Sequence, residues 1–130
     1  RLIADGSIAS LACRGYDVFV RSVFLQGLFF LDPDKMTDPI LLEHAAPKIR
    51  LLRQLAEKEN MTVAQLAIGF MRSLPGVTSL VLGADNATQV QNNTAYFDSP
   101  ALSEEIMQLL QREFANVDIP AIMQVLSRKK

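Results

Sequence analysis

Thr78-Ser-Leu-Val-Leu-Gly-Ala-Asp-Asn-Ala-Thr-Gln-Val-Gln-Asn-Asn93 decides how the chain is read. A short apolar strand runs into Gly83, and a polar helix start rich in capping residues follows at once. The first N–H groups of a helix lack partners inside it, so this layout aims several donors at one place. Such a place suits an anion, for instance a phosphate. A second strand end of similar character lies upstream, Arg21-Ser-Val-Phe-Leu-Gln-Gly27. In parallel α/β folds ligands gather at the C-terminal ends of strands. Both ends carry a glycine, and spacing alone leaves two readings open. The glycines turn the chain, or they let a ligand approach the backbone.

Outward from these ends, residues 17–25 read as one strand and residues 78–82 as another. Val18, Phe19, Val20, Val23, Phe24 and Leu25 show little alternation, which predicts a strand covered on both faces. Helices are expected over 2–14, with Ile3, Ile8, Leu11 and Ala12 as a loose apolar face, and over 47–59, opened by Pro47 and carrying Ile49, Leu52, Leu55 and Ala56 inward. Thr62 and Gln65 make a T-x-x-Q capping box for a helix over 62–74 that turns Val63, Leu66, Ala67, Phe70 and Leu74 inward. Asn86 with Gln89, Ser103 and Pro120 open three more, ending near residues 97, 115 and 127. Residues 31–47, with three prolines and four acidic residues, read as a long connection holding a short turn of helix, of the kind that is mobile or carries function.

That order of elements predicts an α/β fold, helix-rich, with two parallel strands. Two strands make no stable parallel sheet in water by themselves. Either copies of the chain pair through their strands, or neighbouring strands belong to a longer polypeptide. An opening Arg in place of Met fits an excised piece.

The 130 residues match one compact domain or about half of an α/β barrel. Hydrophobic residues at 49% and charged residues at 21% call for a folded core and exclude a disordered chain. Thirteen basic against fourteen acidic residues, net charge -1, point to no nucleic-acid and no membrane partner. Arg128, Lys129 and Lys130 read as a solvated tail. Cys13 is the single cysteine and lies near Ile8, Leu11 and Ala12, so a buried structural thiol is expected, with no disulfide and no metal spacing. Without a signal peptide or membrane-length apolar run, the cytoplasm is the expected compartment.

No set of catalytic side chains is recognisable. His44 sits beside Glu43 in a proline-flanked loop and reads as solvated; Tyr16 and Tyr96 read as packing residues. Walker loops, nucleophile elbows and G-x-G-x-x-G are all missing from the sequence.

Taken together, Val20-Arg-Ser-Val-Phe-Leu-Gln-Gly-Leu28, Thr62-Val-Ala-Gln-Leu-Ala67, Leu74-Pro-Gly-Val77 and Leu82-Gly-Ala with Gln89-Val-Gln-Asn-Asn93 resemble the C-terminal part of an aldo/keto reductase. The resemblance covers roughly residues 2–114. It implies that residues 1–130 are a partial (β/α)8 TIM barrel, its last two strands and their helices, without the N-terminal catalytic half. It further implies a parent enzyme that reduces a small-molecule carbonyl substrate by hydride transfer from NADP(H), with NAD(H) as the other choice. Arg21 falls where many members stack an aromatic residue on nicotinamide. Ser22, Phe24 and Gln26 fall on the loop around the pyrophosphate, Gly83 and Ala84 by the adenosine phosphate, and Gln89 and Asn93 at the adenine end. Many NADPH-preferring members carry Lys or Arg near the positions of Gly83 and Gln89; here residues 82–93 hold no cation and include Asp85. The family's catalytic Asp, Tyr, Lys and His come from earlier strands, so the chain alone is expected to be inactive and, with apolar strand edges, to self-associate. A non-catalytic scaffold or regulatory subunit with the same barrel is the alternative.

Overall fold

Residues 5–128, the part described by the computed structural model, hold α1 (Ser7–Cys13), β1 (Phe19–Arg21), α2 (Ala46–Lys58), α3 (Val63–Arg72), β2 (Ser79–Val81), α4 (Ala87–Tyr96), α5 (Glu104–Phe114) and α6 (Ile119–Arg128). Most helix starts follow from local chemistry. Thr62 Oγ1 accepts the Gln65 N–H at 3.2 Å while Gln65 Oε1 accepts the Thr62 N–H at 2.8 Å, the reciprocal box that the spacing predicts. Asn86 and Ser103 each accept an N–H three residues on, at 2.9 Å and 3.3 Å. The expected start of the first helix at residue 2, with Ile3 on its face, lies outside the described residues.

Apolar faces then assemble the helices. Leu52, Leu55 and Ala56 of α2, Leu66 of α3, and Ile106 and Leu110 of α5 form one buried cluster. Burying a side chain of this size contributes about 1.5–3 kcal/mol. A second cluster joins Leu28, Leu41, Ala45 and Ile49 to Ile122, Val125 and Leu126 of α6. The third holds the strand side: Val23 packs with Ala67 and Ile68 of α3, flanked by Leu80, Leu82 and Tyr96.

The strands pair in parallel, as the alternation of elements predicts, in the register Phe19↔Ser79, Val20↔Leu80, Arg21↔Val81. Thr78 sets that register from below: its hydroxyl accepts the Val18 N–H at 3.0 Å, and its own N–H donates to the Val18 carbonyl at 2.9 Å.

Four expectations need correction. The first strand stops at Arg21, not residue 25, because Ser22, Leu25, Gln26 and Gly27 take left-handed backbone angles that end the extended run. It is covered on one face only: Val20 is half-buried, while Phe19 is 63% exposed and Arg21 is open to solvent. Residues 31–47 hold more helix than the one short turn expected there. A 3-10 turn (Pro33–Lys35) leads to a π-helical turn (Leu41–Ala45) that runs straight into α2. Asp38 accepts the N–H groups of Ile40 and Leu41, and Asp32 that of Asp34. The Asp34 N–H, with Lys35 beside it, holds the Asp32 carboxyl below its usual range.

Finally, Cys13 is exposed. It lies about 100° around α1 from Ala12, and it is Ala12 and Ile8 that meet the Pro75-Gly76 turn. Gly76 has φ +90°, and a Cβ there would stand 2.8 Å from the Ala12 Cβ.

Candidate functional site

A groove with room for about 750 Å³ opens at the C-terminal ends of β1 and β2. Its lining includes Arg21, Ser22, Phe24, Gln26, Gly83, Ala84, Gln89 and Asn93, all eight residues that the resemblance singles out. They come from two segments about sixty residues apart in sequence, joined by the strand register.

The β1 side is shaped by its backbone. Ser22 (φ 60°), Leu25 (46°), Gln26 (56°) and Gly27 (84°) fold residues 22–27 into a tight reversal. Leu25 donates to the Ser22 carbonyl at 2.8 Å and Gly27 to that of Phe24 at 3.0 Å. Left-handed angles at non-glycine residues cost about 1–3 kcal/mol each, and such strain concentrates where a chain must present groups to a ligand. Phe24 stacks obliquely on Phe30, ring centroids 5.1 Å apart, giving the groove an aromatic wall. Arg21 is exposed at the strand end.

The β2 side is shaped by side-chain amides of α4. Gln89 Oε1 accepts the Asp85 N–H at 2.7 Å, and Asn93 Nδ2 donates to the Gly83 carbonyl at 3.2 Å. Both residues expected to touch an adenine therefore also hold the loop that bears Gly83 and Ala84. Their remaining amide atoms, Gln89 Nε2 and Asn93 Oδ1, are the ones left for a ligand. The first N–H groups of α4, those of Ala87 and Thr88, have no partner within the helix. Gly83 is exposed, and a Cβ placed on it would meet nothing within 4 Å. Behind the groove, the Arg72 guanidinium donates to the carbonyls of Phe97 and Ser99, tying α3 to the end of α4.

Tyr96, Asn92 and Phe30 also line the groove, and sequence reasoning passed over them. Tyr96 follows Asn93 by three residues and Gln89 by seven, one helical stripe, so helix periodicity could have found it. Phe30 carries no such signal. None of residues 31–47 lines the groove. His44, 3.9 Å from Glu43, and Tyr16, under the Arg14 guanidinium, also lie away from it. Among the described residues no group of three His, Cys, Asp or Glu is placed to hold a metal ion, and no helix is long and apolar enough to cross a membrane.

The groove is thus lined by backbone amides, side-chain amides, one cation, one carboxylate and an aromatic wall. The model of the aldo/keto reductase family matches residues 7–112. A probable voltage-gated potassium channel subunit beta of Arabidopsis thaliana is 32% identical over 76 residues, covering 55% of this chain and 23% of the relative. L-glyceraldehyde 3-phosphate reductases of two Escherichia coli strains are 25% and 24% identical over 84 residues, covering 65% of this chain. The chain spans about a quarter of the length of the curated relatives it matches.

Proposed function

The chain belongs to the aldo/keto reductase family, and from that premise we propose that it is the cofactor-binding C-terminal part of an NAD(P)H-dependent carbonyl reductase barrel. The observation that carries this reading is the convergence of the eight residues on one groove at the ends of two parallel strands. A groove of this size falls within the range of cofactor sites, and its donors suit a pyrophosphate.

A bound nicotinamide cofactor supplies a hydride for a carbonyl carbon. The residues of this chain bind and orient. The 22–27 reversal presents N–H groups to phosphates; Arg21 offers a planar cation for a ring or a charge; the side-chain amides of α4 face the adenosine end; Phe24 and Phe30 exclude water from one wall. Proton transfer falls to strands of the parent protein that this chain does not supply. Those strands would also cover Phe19 and Val81 and pair with the outer strand edges. The chain made alone is therefore inactive and self-associates, which size-exclusion chromatography checks; a clean monomer contradicts it.

Titration of the whole protein with NADPH and NADH, followed by nicotinamide fluorescence, tests the reading. Saturable binding supports it, and no effect of either at millimolar concentration removes it. A regulatory subunit of the same fold is the second reading, favoured by the 32% identical relative named as a channel subunit. It predicts dinucleotide binding without turnover of any aldehyde in a broad panel.

A further inference from the structure

The two ends of the groove differ in charge. Among the described residues that line it, Arg21, at the end of β1, is the one cation, and Asp85, after β2, is the one anion. Residues 82–93 contain no Lys or Arg. Asp85 is exposed and makes no ion pair with any described residue.

Its position is fixed from behind. The Asp85 N–H is held by Gln89 Oε1, whose own N–H is held by Asn86 Oδ1 at 2.9 Å, and the carbonyl of Gly83 is held by Asn93. This network takes up a backbone donor that an anion at the start of α4 would need, and sets a carboxylate in its vicinity. A carboxylate accepts hydrogen bonds from a diol and repels a phosphate. Gln89 and Asn92 add neutral amides on the same side.

We infer that Asp85 makes the groove select a dinucleotide whose adenosine ribose has free hydroxyls, NAD(H), over one bearing an additional 2′-phosphate, NADP(H). The inference rests on the reading of the groove as a dinucleotide site with its adenosine end at α4. Discrimination comes from like-charge repulsion at an exposed position, so it weakens as salt screens it.

The test measures NADH and NADPH affinities of the whole protein, at low and high ionic strength, for the native sequence and for Asp85→Asn and Asp85→Lys. NADH is expected to bind roughly tenfold or more tighter at low salt, a ratio of the size one like-charge contact produces. Asp85→Asn narrows the ratio and Asp85→Lys reverses it. NADPH binding as tightly as NADH to the native protein, or a ratio untouched by Asp85→Asn, overturns the inference while leaving the dinucleotide reading intact. Failure of both to bind at millimolar concentration overturns the dinucleotide reading, and this inference with it.

Discussion

Where α2, α3 and α5 meet, Leu66 and Ile106 are 0% and 2% exposed. At the strand ends, Arg21, Ser22, Gln26, Gly83, Ala84 and Gln89 are all open to solvent. The first region is held by apolar burial repeated every three to four residues. The second is held by left-handed turns and single hydrogen bonds from α4 amides. Stability therefore resides on one side of the molecule, and the proposed recognition surface lies on the other. A substitution in the first region should unfold the chain without a specific effect on ligand, and one in the second should do the reverse.

The sharpest attempt to break this contrast is Leu66→Ala. Leu66 is the fully buried contact of α3 with α2 and α5. Its truncation should cost about 2–5 kcal/mol in a urea or thermal melt, with dinucleotide affinity of the remaining folded protein unchanged. A loss under about 1 kcal/mol would mean that the cluster repacks freely and is not where stability resides. Gly76→Ala comes next. Its φ of +90° disfavours any side chain, and the new Cβ would stand 2.8 Å from the Ala12 Cβ and 3.2 Å from the Ile8 carbonyl. A cost of about 1–3 kcal/mol is expected, partly recovered by adding Ala12→Gly, which removes the closest clash. Thr62→Ala should cost about 1 kcal/mol by removing the N-cap of α3. If it also lowered dinucleotide affinity, the two regions would be coupled through α3.

The same contrast explains what could be read from the chain. Helices with a cap and a regular apolar face, such as Thr62 leading into Leu66 and Ala67, are specified locally, and their positions agree with the pattern to within a few residues. The parallel pairing followed from element order. The length of β1 did not, because Val23, Phe24 and Leu25 are as apolar as a strand, while Val23 is buried against α3 from within a turn. Composition does not report backbone sign; only Gly27 hinted at it. Pro47 opens α2 as its position suggested, but the segment before it misled: Pro33 starts a 3-10 turn, and Leu41 and Ala45 are core residues of α6's cluster. Cys13 misled because neighbours in sequence lie on different faces of a helix. As for the groove, the resemblance named its two segments, Asn93 among them; Tyr96 was read as packing, though helix periodicity on α4 could have added it. Phe30 needed the fold.

Gly83→Ala is the smallest and most discriminating substitution. It makes the same chemical change as Gly76→Ala, yet the space around the new methyl is empty within 4 Å, and Gly83 has no left-handed angle. Its folding cost should lie within about 0.5 kcal/mol of zero, with a small gain open from the reduced freedom of the unfolded chain. The methyl would project from an exposed residue of the groove lining, where the proposed dinucleotide approaches the backbone. Dinucleotide affinity should therefore fall, by about tenfold if one close backbone contact is displaced, while the melt stays where it was. A melt that drops as far as that of Gly76→Ala would show the loop at residues 83–85 to be packed like the interior. An unchanged melt with unchanged affinity would place the ligand elsewhere along the strand ends, and the division between a stabilising side and a recognising side would then have to be redrawn around Arg21 and the 22–27 reversal.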